Sequence, residues 1–156
     1  MSFKVEFEFD PFEMTGVDVP QNRRKEAMDA VAAFVVDQVT EYMDNSTSPV
    51  AGHGKFPSLS KDYKKRKQAA GKGGSPNLEF DGDLKQALYV SNASSSSLKL
   101  QVRGSKQAAK ADGHCNHSGE SPLPLRRFVP DEGETFKRPI VRAMKDILAG
   151  FAVDDE

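Results

Sequence analysis

Phe3, Val5, Phe7 and Phe9 alternate with Lys4, Glu6, Glu8 and Asp10 at the start of the chain. Successive side chains of a strand point to opposite faces, so this period of two predicts a strand with one face buried. Pro11, Gly16 and Pro20 then break the pattern, which makes residues 1–20 a strand followed by an arm. From about Asn22 to Met43 the period becomes helical. Ala27, Val31, Phe34, Val35, Gln38, Val39 and Tyr42 fall near one side of a long helix, the side that packs inward. Asn22 is placed to cap its N-terminus, with Glu26 in the first turn, where the helix dipole favours an acid.

Residues 45–57 hold two prolines, two glycines and three Ser/Thr, a composition that predicts a loop, mobile or used at an interface. Ser60 caps a short expected helix with Asp62 in its first turn and Gly71 at its C-terminal end. Gly71 to Pro76 follows as a hinge. After a turn or short helical start at Asp81-Gly82, Leu88 to Asn92 predicts one strand. Leu98, Leu100 and Val102, alternating with Lys99, Gln101 and Arg103, predict a second. Ser94 to Ser97 is a polar tip between them, so the pair reads as a hairpin. Ser105 to Asp112 suits a short helix, and residues 113–130 read as an extended loop. The last helix is expected from about Lys137 to Phe151, with Pro139 well placed as its first residue and Ile140, Met144, Ile147, Leu148 and Phe151 facing inward. Asp154-Asp155-Glu156 is an acidic tail. The fold class is therefore α+β: a small antiparallel sheet packed by a long N-terminal helix and a C-terminal helix, with long loops, in one domain over residues 1–156.

Composition narrows the function without naming it. The chain is 156 residues long and 37% hydrophobic, with ten Phe to serve as large burial units. No run approaches the roughly 18 apolar residues of a membrane helix, and acidic residues stand where a signal peptide has its apolar stretch, so cytoplasmic synthesis and no membrane partner are expected. One cysteine, Cys115, excludes an intrachain disulfide and fits a reducing compartment. The formal net charge of −1 provides no overall field for nucleic acid. Its distribution is uneven, however. Residues 1–20 carry five acids against Lys4, and residues 55–72 carry seven Lys or Arg against Asp62. An acidic end and a basic middle suit head-to-tail contact between copies.

Four segments invite a chemical interpretation. His114, Cys115 and His117 place three metal-ligand types in four residues. Adjacent residues of an extended loop point apart, and no second Cys or His pair completes a tetrahedral zinc site, so no metal and no cofactor are expected. A Cys–His nucleophile needs base and thiol to meet through space, which adjacency does not supply. No catalytic residue is expected, and the chain does not read as an enzyme. The basic run Lys61, Lys64, Lys65, Arg66 and Lys67 wraps more than one helix face, with Tyr63 its only aromatic. Phosphate contact, docking on an acidic protein surface, or a solvated helix all fit it. Gly71-Lys72-Gly73-Gly74-Ser75 lacks the order of a phosphate loop and reads as a linker. Pro122 to Pro130 holds three prolines in nine residues, which favour an extended strand-like segment. Within it Arg126 and Arg127 could pair with partner carboxylates and Phe128 could anchor, or Phe128 packs on its own core. The candidate protein-interface residues are Lys61, Lys64, Lys65, Lys67, Arg126, Arg127 and Phe128.

Taken in order, Leu59-Ser60, Tyr63, Lys67 and Gly71, then Leu78, Gly82 and Leu84, then Ala108, Ala109, His117 and Gly119, then Pro124, Arg126, Phe128 and Ile140 form a series of phrases. This series, over roughly residues 20 to 150, resembles the virion-morphogenesis or tail-completion family of long-tailed phages. Asp81, Ala87 and Arg127 depart from that family's usual hydroxyl residue, Ser and Pro. The resemblance implies a non-enzymatic structural protein of the virion, assembled in the host cytoplasm, at the neck or head-proximal tail end. It further implies a ring of copies, often six, around a channel through which DNA passes. The expected partners are other copies and neighbouring neck, connector or tail-tube proteins. A small DNA-binding accessory protein using residues 61–67 is the alternative.

Overall fold

A computed structural model describes residues 6–76, 83–115, 126–130 and 135–152. The alternating N-terminal segment forms β1 (Glu6–Phe9), which pairs antiparallel with β3 (Leu98–Val102); β3 pairs in turn with β2 (Leu88–Asn92), giving the order β1-β3-β2. Phe3 and Val5 lie outside the described residues. The register places Leu100 between Phe7 on one side and Val90 on the other, and Phe9 beside Leu98. Period two then sends Phe7, Phe9, Leu88, Val90, Leu98, Leu100 and Val102 to one face and Glu6, Glu8, Tyr89, Ser91, Lys99 and Gln101 to the other. Phe9, Leu88, Leu98 and Leu100 are buried. Phe136 closes this face edge-on, with ring centroids 5.3 Å from Phe7 and 5.6 Å from Phe9, a favoured aromatic geometry. The hairpin tip is tied by Ala93 N–H donating to the Ser97 carbonyl at 2.9 Å.

The arm expected after β1 is instead a one-turn helix, α1 (Pro11–Thr15). Asp10 Oδ1 accepts from the backbone N–H of Phe12 and Glu13 at 2.9 and 3.0 Å, Pro11 takes the first helical position, and Gly16 turns left-handed at φ 72°. The residues that break the strand therefore cap a helix at both ends. The long helix α2 (Arg24–Asp44) is entered through a 3-10 turn, Gln21–Arg23. Asn22 lies inside that turn and does not take the capping position expected of it; Arg23 holds that place without a side-chain cap. Ala27, Val31, Val35, Val39 and Met43 are buried at a spacing of four along α2, with Met28 beside them. Across them lies α6 (Arg138–Ala152), burying Ile140, Met144 and Leu148 at the same spacing. Two helices with apolar stripes four residues apart pack ridge into groove against each other. The α+β fold is as expected.

Between these helices come α3 (Lys61–Ala69), the short α4 (Asp83–Ala87) and α5 (Ser105–Cys115). α5 runs three residues past its expected end, so residues 113–115 are helix and not loop. In a helix, neighbours stand about 100° apart, which lets Cys115 turn into the core, 1% exposed. Among the described residues no helix is long and apolar enough to cross a membrane.

Candidate interaction surface

Residues 45–57 are not a free loop. Their few apolar residues turn inward, and the backbone pays its own hydrogen bonds locally. Thr47 bridges to Lys55, and Val50 bridges to Phe136. Phe56 N–H donates to Ser46 O at 2.7 Å, Ala51 N–H to Thr135 O at 3.0 Å, and Lys137 N–H to Pro49 O at 2.9 Å. Val50 and Phe56 are buried. Such a segment satisfies its polar backbone groups against neighbouring chain, which a mobile loop leaves to water.

The segment 126–130 seals this strap. Ser48, itself buried, donates its hydroxyl to the Arg127 carbonyl. Phe128 is fully buried and Val129 nearly so. Arg126 is 5% exposed, and its guanidinium donates to Pro57 O (3.2 Å from Nε, 3.0 Å from Nη2) and to Ser58 O (3.3 Å from Nη2). Burial pulls its pKa down from the ordinary arginine value, while Tyr63 nearby acts in the opposite direction. A guanidinium carries fixed donors in a fork, and here the fork fastens the carbonyls that lead into α3. Arg126 and Phe128 are therefore internal. Arg126 is held inside by backbone acceptors and not displayed, and of the two readings of Phe128 the packing on its own core is the one observed.

On α3 the cations divide. Ser60 Oγ accepts from Tyr63 N–H at 3.3 Å and caps the helix as its sequence position suggests. Lys61, Lys64 and Lys65 are exposed and, at i, i+3 and i+4, share one helix face. Lys67 is the exception, at 1% exposure. Its stem is covered and its ammonium donates to Ser75 O at 2.7 Å, so it too drops from the set of displayed residues. The Gly-rich stretch is thereby folded back on α3. At Gly74 an added Cβ would sit 2.8 Å from Lys64 Cε and 2.9 Å from Gln68 Nε2. Residues 71–76 are a closed loop, not an open hinge. Arg127 is half-buried. Of the seven expected interface residues, the three lysines on one α3 face stand together in solvent.

Other charged groups lie outside any contiguous run. Lys137 lies over the Tyr42 ring at 5.0 Å, and burial lowers its pKa. Lys85 pairs with Asp44 at the end of α2. More extensive are the acids on the outer side of α2 and the basic residues on the outer side of α6. Neither forms a contiguous run, so only projection onto a helix at 3.6 residues per turn reveals them. Among the described residues no three His, Cys, Asp or Glu side chains gather as metal ligands. Cys115 is in the core, His117 lies outside the described residues, and the helical backbone at 114–115 replaces the extended loop expected there. Compared with models of known families, with curated proteins and with solved structures, the chain matches none.

Proposed function

We propose that the chain is a structural subunit of a tailed-phage particle, placed at the neck or head-proximal tail end. There it assembles as a ring with copies of itself, its partners being neighbouring neck, connector or tail-tube proteins, and completes the tail or joins it to the head. The observation that carries this proposal is the joining in space of two phrases that carry the family resemblance. Leu59-Ser60 and Tyr63 open α3, and the Arg126 guanidinium clasps the carbonyls of Pro57 and Ser58 just before them. Lys67, from the same phrase, closes the next turn of chain on Ser75. These polar residues act as fasteners of a scaffold, which fits a protein whose work is to hold a shape and present surfaces. Immunogold electron microscopy on purified particles of the phage that carries the gene tests the placement. Label at the head–tail junction is the expected result, and particles without label would overturn the proposal.

A second role is favoured by the three exposed lysines on one face of α3. They could contact phosphates, with DNA as the partner, each contact releasing counterions. Binding would then weaken steeply with salt and fall when Lys61, Lys64 and Lys65 are changed to Glu. Lys67 contributes nothing to that face, since its ammonium is turned inward.

A further inference from the structure

The two helices that pack together through the core carry opposite charge on their outer sides. On α2, Glu26 and Asp29, then Asp37 and Glu41, are all exposed and fall along one stripe, as two acidic pairs separated by Ala33. From Glu26 to Glu41 the stripe runs about 22 Å at 1.5 Å per residue. α2 has no Lys or Arg after Lys25, so nothing on the helix interrupts the negative face. On α6, Arg138, Arg142 and Lys145 are exposed at i, i+4 and i+7, again one side. With Met14 and Val141 as a half-buried apolar floor, they line an open groove of about 480 Å³ between α1 and α6, with Asp146 among its lining residues. Neither charged set has an ion-pair partner among the described residues.

From this complementarity we infer that the acidic face of α2 in one copy docks in the α1–α6 groove of the next copy. Asp37 and Glu41 have the same i, i+4 spacing as Arg138 and Arg142, so two carboxylates can meet two guanidiniums in register. Carboxylate–guanidinium pairs of this kind are frequently bidentate, which fixes orientation as well as attraction. Ala33, exposed in the middle of the acidic stripe, leaves room for the helix to approach the Met14–Val141 floor. Both faces of a single subunit point outward, so their pairing takes a second molecule. The two surfaces differ, which makes the contact heterologous; repeated, it closes into a ring or continues as a filament. Nucleic acid is a poorer occupant of the groove, because Asp146 lines it and the acidic helix is packed alongside. The inference rests on the proposed self-assembly and does not depend on where in the particle the protein sits.

Sedimentation velocity on four forms of the full chain tests it: wild type, D37K/E41K, R138E/R142E, and the four-site combination, each checked for folding by circular dichroism. All four positions are exposed, so folding is expected to survive. Wild type should sediment as an oligomer that dissociates as salt rises, because exposed charge pairs are screened. Each one-sided reversal should raise the dissociation constant by roughly 100-fold or more, since facing like charges cost several kcal/mol. The combined variant should recover the oligomer. One-sided variants that assemble like wild type would overturn this interface while leaving ring assembly intact; a wild type that stays monomeric would also overturn the interface, and ring assembly would fall with it only if that monomer attached to neither tails nor connectors. A monomer whose binding to a duplex DNA probe is lost in R138E/R142E and kept in D37K/E41K would make the groove a nucleic-acid site, which also overturns the inference.

Discussion

The α2–α6 pair with its sheet and the strap of residues 45–76 with 126–130 are held by different forces. In the first, side chains such as Val31, Val35, Met144 and Leu148 are buried at helical spacing and make no polar contact. In the second, long cationic side chains reach inward to backbone carbonyls: Arg126 to Pro57 and Ser58, Lys67 to Ser75. Apolar burial leaves a periodic trace in sequence. A cation that bonds a distant carbonyl leaves none, and it looks the same as a solvated one. That difference decides which residues can be display surface.

Substitutions can test the contrast by size of effect. The largest is expected at Phe128, which belongs to the strap by position but to the core by burial. Phe128→Ala should lower unfolding free energy by about 3–5 kcal/mol in chemical denaturation, the range for a fully buried aromatic. A cost as small as that of a surface change would return Phe128 to the interface set. Arg126→Met comes next. It keeps an apolar stem but removes the donors to two carbonyls, for an expected loss of about 1–3 kcal/mol. Since burial already penalises the charged guanidinium, the lower part of that range is favoured, and proteolysis should find residues 57–60 more open. Lys67→Met should cost roughly 1 kcal/mol, the net worth of one hydrogen bond, because Met retains most of the stem packing. Lys64→Met serves as its control, with an expected change within about 0.5 kcal/mol. Equal losses at positions 64 and 67 would erase the division of α3 into an inner and an outer set.

The smallest effect concerns Lys137. Burial lowers its folded pKa below the unfolded value, so the folded chain binds fewer protons between the two. Stability attributable to this group therefore rises with pH across that alkaline window and is lowest below it. Lys137→Met should flatten the slope of unfolding free energy against pH there; an unchanged slope would remove the desolvation account.

Much of the architecture was legible because period and register are written in residue type. The alternation around Phe7 and Phe9, the hairpin from Leu88 to Val102, and the stripes of α2 and α6 all followed from spacing. α1 is hidden because Pro11 and Gly16 have two meanings: they break a strand, and with Asp10 they also start and stop a helix. Three further residues of α5 were missed because Gly113 looked like a stop. The interface set was the least legible part. Lys61, Lys64 and Lys65 are exposed as a group, yet Lys67, Arg126 and Phe128 are internal: Lys67 turns back to Ser75 eight residues on, and the contacts from Arg126 to Pro57 and from Ser48 to Arg127 span about half the chain. The opposed faces of α2 and α6 are present in the sequence but scattered, at steps of three, eight and four residues on α2 and four and three on α6. The lysines of α3, contiguous along the chain, stand out where those scattered charges do not.

A scaffold that assembles through its surfaces is tested most directly by images of the purified chain. Negative-stain electron microscopy, alone and with isolated tails or connectors added, should show closed rings or the protein capping a tail or connector end. Monomers alone, with no attachment to either structure, would contradict it.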